Sequence, residues 1–183
     1  MNTTLLKKTA SKPALPPDDL RRKLTLSRPD KDSKLPHVGL VGDTYTILLT
    51  GGDTAGRYCL IDMHIPPGGG PPPHRHDFEE SFTLLQGEIE VIFRGVKSVL
   101  RAGETANIPA NAPHQFQNKT GQPARLLCTC SPAGQEEFFL AVGVRVAERT
   151  TPPPKLDAAE MEAFKKKSEA LGPRYRTQLL IHA

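Results

Sequence analysis

The chain has 183 residues, a length typical of a single domain, and its 24 Lys and Arg residues outnumber its 20 Asp and Glu residues. With 18 Pro, 15 Gly and only 5% aromatic residues, the composition favours turns and extended segments over long helices, and therefore an all-β fold. No apolar run approaches the roughly 20 residues that cross a bilayer, and no apolar secretory leader is visible near the start, so we expect a cytoplasmic protein without a membrane partner.

The excess of basic side chains lies at the two ends of the chain. Residues 1–36 carry nine Lys or Arg against four Asp or Glu, residues 151–183 carry six against four, and residues 37–150 carry nine against twelve. The ends lack interleaved aromatic side chains that could stack on bases, so we interpret them as solvated segments and expect no nucleic-acid partner. The sequence thus predicts an N-terminal basic, Pro-containing arm (1–36), a central β-barrel (37–150), and a Pro linker with a C-terminal helix (151–183).

The central segment consists of short β-branched or apolar runs separated by turn residues. The first two, Tyr45–Leu49 and Arg57–Ile65, are joined by Gly51–Asp53, a spacing typical of a hairpin. The stretch Pro66–Pro73 contains only Pro and Gly and predicts a surface crossing between sheets. Further strands are predicted at Ser81–Leu85, Ile89–Phe93, Val96–Leu100, Thr105–Ile108, His114–Gln117, Ala124–Cys130 and Glu137–Val144. Many short strands at regular spacing predict a sandwich or a barrel.

The pattern changes after three consecutive prolines that begin at Pro152. Asp157 can cap a helix whose apolar residues Met161, Phe164 and Leu171 fall near one face. A following Gly-Pro pair is a natural stop. We expect this short C-terminal helix to cover one end or flank of the barrel, with a partner-binding helix as the alternative.

Three cysteines, Cys59, Cys128 and Cys130, match neither a zinc ribbon nor a CxxC redox pair. We therefore expect reduced thiols. Cys128 and Cys130 lie two apart on a predicted strand, so they face the same way. Core packing is the interpretation that we favour for this pair, and a soft metal site is the alternative.

A cluster of imidazole and carboxylate side chains follows the Pro- and Gly-rich stretch. Side chains alternate along a strand, so His74, His76 and Glu80 share one parity and can converge on a single interior point. Arg75 and Glu79 have the opposite parity. Because short His and Glu clusters are common on protein surfaces, this set alone is weak evidence for a site.

A second segment supplies one more candidate ligand, because Pro109 precedes a turn at Asn111 and His114 begins the next predicted strand. Both segments resemble the two signature motifs of the cupin superfamily. The first motif is matched by Gly68, His74, His76, Glu80 and Gly87. The second motif is matched by Gly103, Pro109, His114 and Asn118. Asn111 stands where the family usually has Gly, a mild departure because Asn tolerates positive φ better than other residues.

The resemblance implies a cupin double-stranded β-helix, a jelly-roll barrel with a metal inside and one mouth open. It carries the family's four metal ligands over to His74, His76, Glu80 and His114. Three imidazoles and one carboxylate suit one divalent transition metal, and Fe, Mn, Ni, Co, Cu and Zn all stay open. The alternative is a cupin that has kept the fold and lost the metal, although such proteins usually have one of the four ligands replaced.

Within the superfamily, the chain resembles single-domain cupins similar to quercetin 2,3-dioxygenase, in the run Thr54–Tyr58 and again around Ala124–Leu127. The resemblance implies a metal-dependent dioxygenase for a small aromatic or enol-containing substrate, with O2 as co-substrate and Glu80 as the catalytic base. Two alternatives stay open, because the fold alone assigns no reaction. One is a small-molecule binding or sensing cupin without turnover, and the other is a cupin isomerase or decarboxylase.

Three apolar residues, Phe82, Leu84 and Phe116, share the parity of the ligands. We expect them to line a substrate pocket above the metal, with ordinary barrel core as the alternative. Cupins of this kind are commonly dimers, so the resemblance also implies a homodimer. The arm of residues 1–36 is then available to pair with the sheet edge of a partner.

Overall fold

The computed structural model describes residues 15–180, so the first fourteen residues of the predicted arm and the last three residues of the chain lie outside the described residues. The strands are β1 (His37–Leu40), β2 (Asp43–Leu49), β3 (Cys59–Ile65), β4 (His74–His76), β5 (Glu79–Gln86), β6 (Glu88–Phe93), β7 (Val96–Arg101), β8 (Thr105–Ile108), β9 (His114–Gln117), β10 (Ala124–Ser131), β11 (Val144–Arg145) and β12 (Thr177–Leu179). The helices are α1 (Gly51–Thr54), α2 (Gln135–Val142), α3 (Ala158–Leu171) and a 3-10 helix at Gly172–Tyr175.

The strands form two antiparallel sheets. One sheet has seven strands in the order β11-β1-β2-β3-β10-β5-β8, and the other has five in the order β12-β4-β9-β6-β7. Side chains from both sheets join one hydrophobic core. Its largest fully buried apolar members are Ile47, Ile61, Met63, Ile65, Phe82, Leu84, Ile89, Ile108 and Leu126. The all-β fold with a C-terminal helix is as predicted.

Strand alternation decides which side chains face the core. In β5, Glu80, Phe82 and Leu84 are buried, while the residues between them are more exposed. The neighbouring β10 pairs with β5 so that Cys130 lies opposite Glu80 and Cys128 lies opposite Phe82. A period of two therefore places one carboxylate and two thiols side by side within an otherwise apolar interior.

The two histidines of β4 and the carboxylate of β5 come from different sheets. The chain leaves β4 at His76, passes through Asp77 and Phe78, and enters β5 of the seven-stranded sheet at Glu79. The convergence of these three side chains was inferred from strand alternation across the segment. The crossing instead places Glu80 in the opposite sheet, where it faces the histidines. The three side chains therefore converge from two sheets and not along one strand.

Two backbone positions with positive φ hold the turns beside these strands. Asn111 has φ 68°, and its amide donates a hydrogen bond to the carbonyl of His76 at 2.6 Å. Gly70 has φ 129° and lies so close to β9 that an added Cβ would overlap the carbonyl oxygen of Phe116. Both turns therefore fix the strands that carry the candidate ligands, and Asn111 fills the role expected of the family's Gly.

The prediction of a strand at Glu137–Val144 is wrong, because residues Gln135–Val142 form helix α2. The run is rich in Phe and Val, which favour strands in isolation. Its buried residues nevertheless follow the helical period, with Gln135, Glu136, Phe138, Phe139 and Val142 facing inward. The Phe139 ring packs against the Tyr45 ring of β2 at a centroid distance of 4.9 Å. Packing against the barrel therefore stabilises a helix here, despite the local strand preference of these residues.

The C-terminal helix is confirmed, and its N-terminus has the predicted cap. The Asp157 side chain accepts from the Glu160 amide, and the Glu160 side chain accepts from the Asp157 amide. Beyond the helix, the chain returns as β12 and pairs with β4. That pairing was not predicted. Within residues 15–180, no helix is both long and apolar enough to span a membrane.

The described part of the arm, residues 15–36, contains no helix or strand and runs along the barrel. The Thr25 hydroxyl donates to the Asp53 carboxylate at 2.9 Å, and the Ser27 hydroxyl donates to the carbonyl of Leu48. Arg149 contacts Asp30 at 2.8 Å. These contacts tie the segment to its own barrel.

We expect Gly70→Ala to lower the free energy of unfolding by about 2 kcal/mol, because the new Cβ overlaps the backbone of β9 and the backbone φ is positive. Urea titration followed by circular dichroism measures the change. Gly121→Ala is the matched control, since its Cβ would meet nothing within 4 Å. Equal unfolding midpoints for the two variants would contradict the close approach of this loop to β9.

Candidate metal centre

Four side chains from three strands meet in the barrel interior. His74 and His76 come from β4, Glu80 from β5 and His114 from β9, where His114 pairs directly with His74. Each is at most 7% exposed. One potential ligand atom from each lies within 4.8 Å of the others. The fold thus brings together the four residues predicted as ligands, although thirty-four positions separate Glu80 from His114 along the chain.

Each imidazole is held by a backbone carbonyl through its Nδ1 atom. His74 Nδ1 lies 2.9 Å from the Pro72 oxygen, and His76 Nδ1 lies 3.0 Å from the Phe78 oxygen. His114 Nδ1 lies 2.9 Å from the Ala112 oxygen. A carbonyl can only accept, so each Nδ1 carries the hydrogen and donates it. In the neutral ring, Nε2 is left with a lone pair for a metal.

The Glu80 carboxylate completes the donor set. Its Oε2 atom lies 3.0 Å from Nε2 of His76 and 3.0 Å from Nε2 of His114. With Nδ1 already protonated, the Nε2–H of a charged ring can donate to this oxygen, whereas the Nε2 lone pair of a neutral ring can bind a cation that the carboxylate oxygen also contacts. A divalent transition metal is such a cation, and three nitrogens with one carboxylate oxygen form a ligand set that it accepts. These residues therefore fit a metal.

Burial and neighbouring groups set the protonation of the ligands. Burial lowers the pKa of His74 to about 4, assisted by the nearby His114 ring, so His74 is neutral at pH 7. Burial raises the pKa of Glu80, but the contacts with His114 and His76 outweigh it and hold this pKa below its ordinary value. A neutral imidazole and an ionised carboxylate are the forms that bind a metal.

The second Glu80 oxygen faces two thiols. Cys128 Sγ lies 3.2 Å from Glu80 Oε1, and Cys130 Sγ lies 3.8 Å from the same atom. Burial raises the pKa of Cys128 to about 12, so this thiol stays protonated near neutral pH and donates to the carboxylate. Both thiols are fully buried members of the hydrophobic core. With Glu80 they also form a group whose potential ligand atoms lie within 4.8 Å of one another, so the structure agrees with core packing and leaves the soft metal site as the alternative. Cys128 in addition orients Glu80, which the sequence did not predict.

A cavity of about 460 Å³ opens beside the ligand cluster, and His74 and Glu80 form part of its wall. Phe82 and Phe116 also line it, with their rings 5.2 Å apart in an edge-to-face arrangement. Leu84, the third expected pocket residue, is fully buried and does not line the cavity. The alternation of side chains along β5 correctly predicted that Leu84 faces inward. It could not show how far along the strand the cavity extends.

Two cavity residues that the sequence analysis missed are Asp43 and Tyr45 of β2. The Tyr45 hydroxyl donates to the Asp43 carboxylate at 3.1 Å. Burial raises the pKa of Asp43 to about 7, even though the Tyr45 hydroxyl and the Gly70 amide hydrogen-bond to it and lower it. The alternation of Asp43, Tyr45 and Ile47 on one face of a strand was the available signal, because it places a carboxyl among core residues.

A family model described as the cupin domain matches residues 61–130, a segment that holds all four candidate ligands. Over these residues the chain matches a cupin domain. Its barrel resembles solved cupin structures in fold. It superimposes on a predicted oxalate decarboxylase from Thermotoga maritima with a TM-score of 0.52 at 18% identity, covering 58% of this chain and 98% of that chain. For an RmlC-like cupin from Shewanella frigidimarina, the TM-score is 0.50 at 19% identity, covering 62% and 99%.

Two curated proteins align with this chain at the level of sequence. Quercetin 2,3-dioxygenase from Bacillus subtilis is 24% identical over 120 residues, which cover 65% of this chain and 35% of that protein. Polyketide synthase CurC from Streptomyces cyaneus is 34% identical over 94 residues, which cover 50% of this chain and 60% of that protein. The chain therefore spans less than two thirds of the length of either relative.

We expect His76→Ala and His114→Ala to lower the affinity for the metal by more than about a hundredfold, because each removes a nitrogen donor. Elemental analysis after dialysis against Ni(II) or Zn(II) measures the bound ion. Glu79→Ala is the control and should keep it, since Glu79 lies on the exposed face and contacts Asn107 and the Ala110 amide. Equal metal content in all three variants would refute the ligand assignment.

The buried Asp43 predicts a pH-dependent term in stability. Its folded pKa of about 7 lies above the ordinary value of 3.8, so the folded protein binds this proton more tightly than the unfolded chain. The resulting stabilisation is fully present below about pH 4 and is lost as the pH rises through about 7. Between pH 5 and pH 8, the free energy of unfolding of the wild type should therefore fall relative to that of Asp43→Asn in urea titrations. A difference that does not change with pH would contradict the raised pKa.

Proposed function

We propose that this cupin is a metal-dependent dioxygenase that acts on a small aromatic or enol-containing compound. The observation that carries the proposal is the opening of the ligand cluster into a mostly apolar cavity. His74 and Glu80 belong both to the cluster and to the cavity wall, beside Phe82 and Phe116. A compound inside the cavity would thus place its polar oxygens at the cluster and its ring among aromatic side chains.

The four ligands His74, His76, Glu80 and His114 would hold one divalent metal, which supplies a Lewis acid and a site for O2 chemistry when bound. The carbonyl bonds at Nδ1 keep the three rings oriented, so binding requires little rearrangement. Burial of the cluster excludes water, which protects reactive species from side reactions.

Glu80 is the proposed base. Its Oε2 atom would accept the proton of the substrate hydroxyl, while Cys128 continues to donate to Oε1 and keeps the carboxylate oriented. The low pKa of Glu80 in the absence of substrate means that the carboxylate must loosen from its neighbours as it takes the proton.

The likeness to quercetin 2,3-dioxygenase over 120 residues supports a dioxygenase. The higher identity to polyketide synthase CurC, 34% over 94 residues, favours a second candidate. In that candidate, the same cavity would bind an enol-rich polyketide chain and convert it without consuming O2. Both candidates share a substrate with enol or phenol oxygens.

Oxygen uptake separates the candidates. We expect the Fe, Mn, Ni, Co or Cu form of the full chain to consume about one O2 per molecule of quercetin or acetylacetone in an oxygen electrode. Glu80→Gln should lower the rate per bound metal by about a hundredfold or more, because the base is lost. Glu79→Gln is the matched control on the exposed face and should keep the rate.

Stoichiometric binding of these compounds to every metal form without oxygen uptake would refute the dioxygenase. Product formation without uptake would favour the second candidate, and binding without any product would favour a sensing cupin. The homodimer and the cytoplasmic location remain predictions from the sequence.

A further inference from the structure

The C-terminal segment builds one wall of the cavity. Helix α3 contributes Met161, Phe164, Lys165 and Ser168 to the lining, and β12 contributes Thr177 and Leu179. Strand β12 also pairs with β4, placing Thr177 opposite His76 and Leu179 opposite His74. This wall lies outside the matched cupin domain, residues 61–130. Its side chains are therefore among the cavity residues that the shared domain does not supply.

Lys165 has a special position in this wall. Among the described residues that line the cavity, it is the one Lys or Arg. It is half-buried, and no hydrogen bond or ion pair to another described residue is present. Its neighbour Lys166, by contrast, is exposed and pairs with Glu162 at 3.7 Å. A half-buried lysine packs its alkyl stem on apolar surface and keeps its ammonium group available for a partner.

The carboxyl groups that line the cavity do not neutralise this ammonium group. Glu80 contacts His76 and His114 and belongs to the metal ligands. Asp43 forms no ion pair with Lys165, and burial raises its pKa to about 7, which reduces its charge at neutral pH. A positive side chain beside a mostly apolar cavity therefore has no counter-ion within the described wall, and a bound molecule can supply one.

We propose that Lys165 binds a carboxylate of the substrate, so that the substrate is an aromatic or enol acid whose chelating oxygens face the metal ligands. The placement of the chelating oxygens at the metal ligands rests on the proposed function. One ammonium group matches the single charge of a carboxylate, whereas a phosphate usually meets more than one cationic partner. None of the nine residues that match the two cupin motifs is Lys or Arg, and Lys165 comes from outside both motifs.

Two catechols that differ in one group test the proposal. Both 3,4-dihydroxybenzoate and 4-methylcatechol present the same pair of chelating oxygens, and only the first carries a carboxylate. Calorimetry with the Zn(II)-loaded full chain measures their dissociation constants without turnover. We expect the wild type to bind the acid roughly tenfold more tightly than the neutral compound, and added NaCl to weaken only the acid.

Variants of helix α3 assign that preference to Lys165. We expect Lys165→Met to reduce the affinity ratio to about one, and Lys165→Arg to retain most of it. Lys167→Met is the matched control, because Lys167 is exposed on the same helix and does not line the cavity. It should leave the ratio unchanged. Circular dichroism and bound zinc check that each variant is folded and loaded.

The outcomes separate this inference from the proposed function. Equal affinity of the wild type for both catechols, or an unchanged ratio in Lys165→Met, would overturn the role of Lys165 and leave the metal chemistry intact. If neither compound binds the zinc form, both the role of Lys165 and the binding of chelating oxygens at the metal would be overturned. A Lys165-dependent preference in a protein that consumes no O2 would support the inference while refuting the dioxygenase.

Discussion

A buried carboxylate among three imidazoles is the constraint on which the rest of this structure depends. Glu80 is ionised in a site with almost no access to water, and the adjacent rings are already committed as donors through Nδ1. An uncompensated charge in such a place is costly. Backbone carbonyls of the surrounding chain fix the imidazole rings, and the Cys128 thiol fixes the carboxylate. The cluster is thereby preorganised for a cation.

Much of this site could be predicted from the sequence, because its parts obey local rules. Fixed spacings placed His74 and His76 on one face of a strand, and a turn at positive φ placed His114 at the start of another. Asn111 could replace Gly there because its backbone tolerates the same conformation. The inward position of Glu80 was right although the chain changes sheets between it and His76, because the two-residue crossing preserves the inward face.

What could not be predicted depends on contacts between distant segments. Helix α2 was mistaken for a strand because its Phe and Val residues favour strands locally, while its helical period appears only in what the barrel buries. The contact of Cys128 with Glu80 requires the register of β10 on β5. The cavity position of Lys165 requires α3 and β12 to fold back on the barrel. No local pattern encodes these pairings.

The pairing of β12 with β4 makes one strand common to the candidate metal centre and the C-terminal wall of the cavity. Strand β4 has three residues, with His74 and His76 at its ends, and its backbone partners are β9 and β12. On the proposed function, an ion that orders β4 would lower the entropy cost of ordering the wall that a small molecule contacts. By thermodynamic linkage, a small molecule that orders the wall would raise the affinity for the ion to the same degree. The three residues of β4 would then couple the cation to the organic ligand.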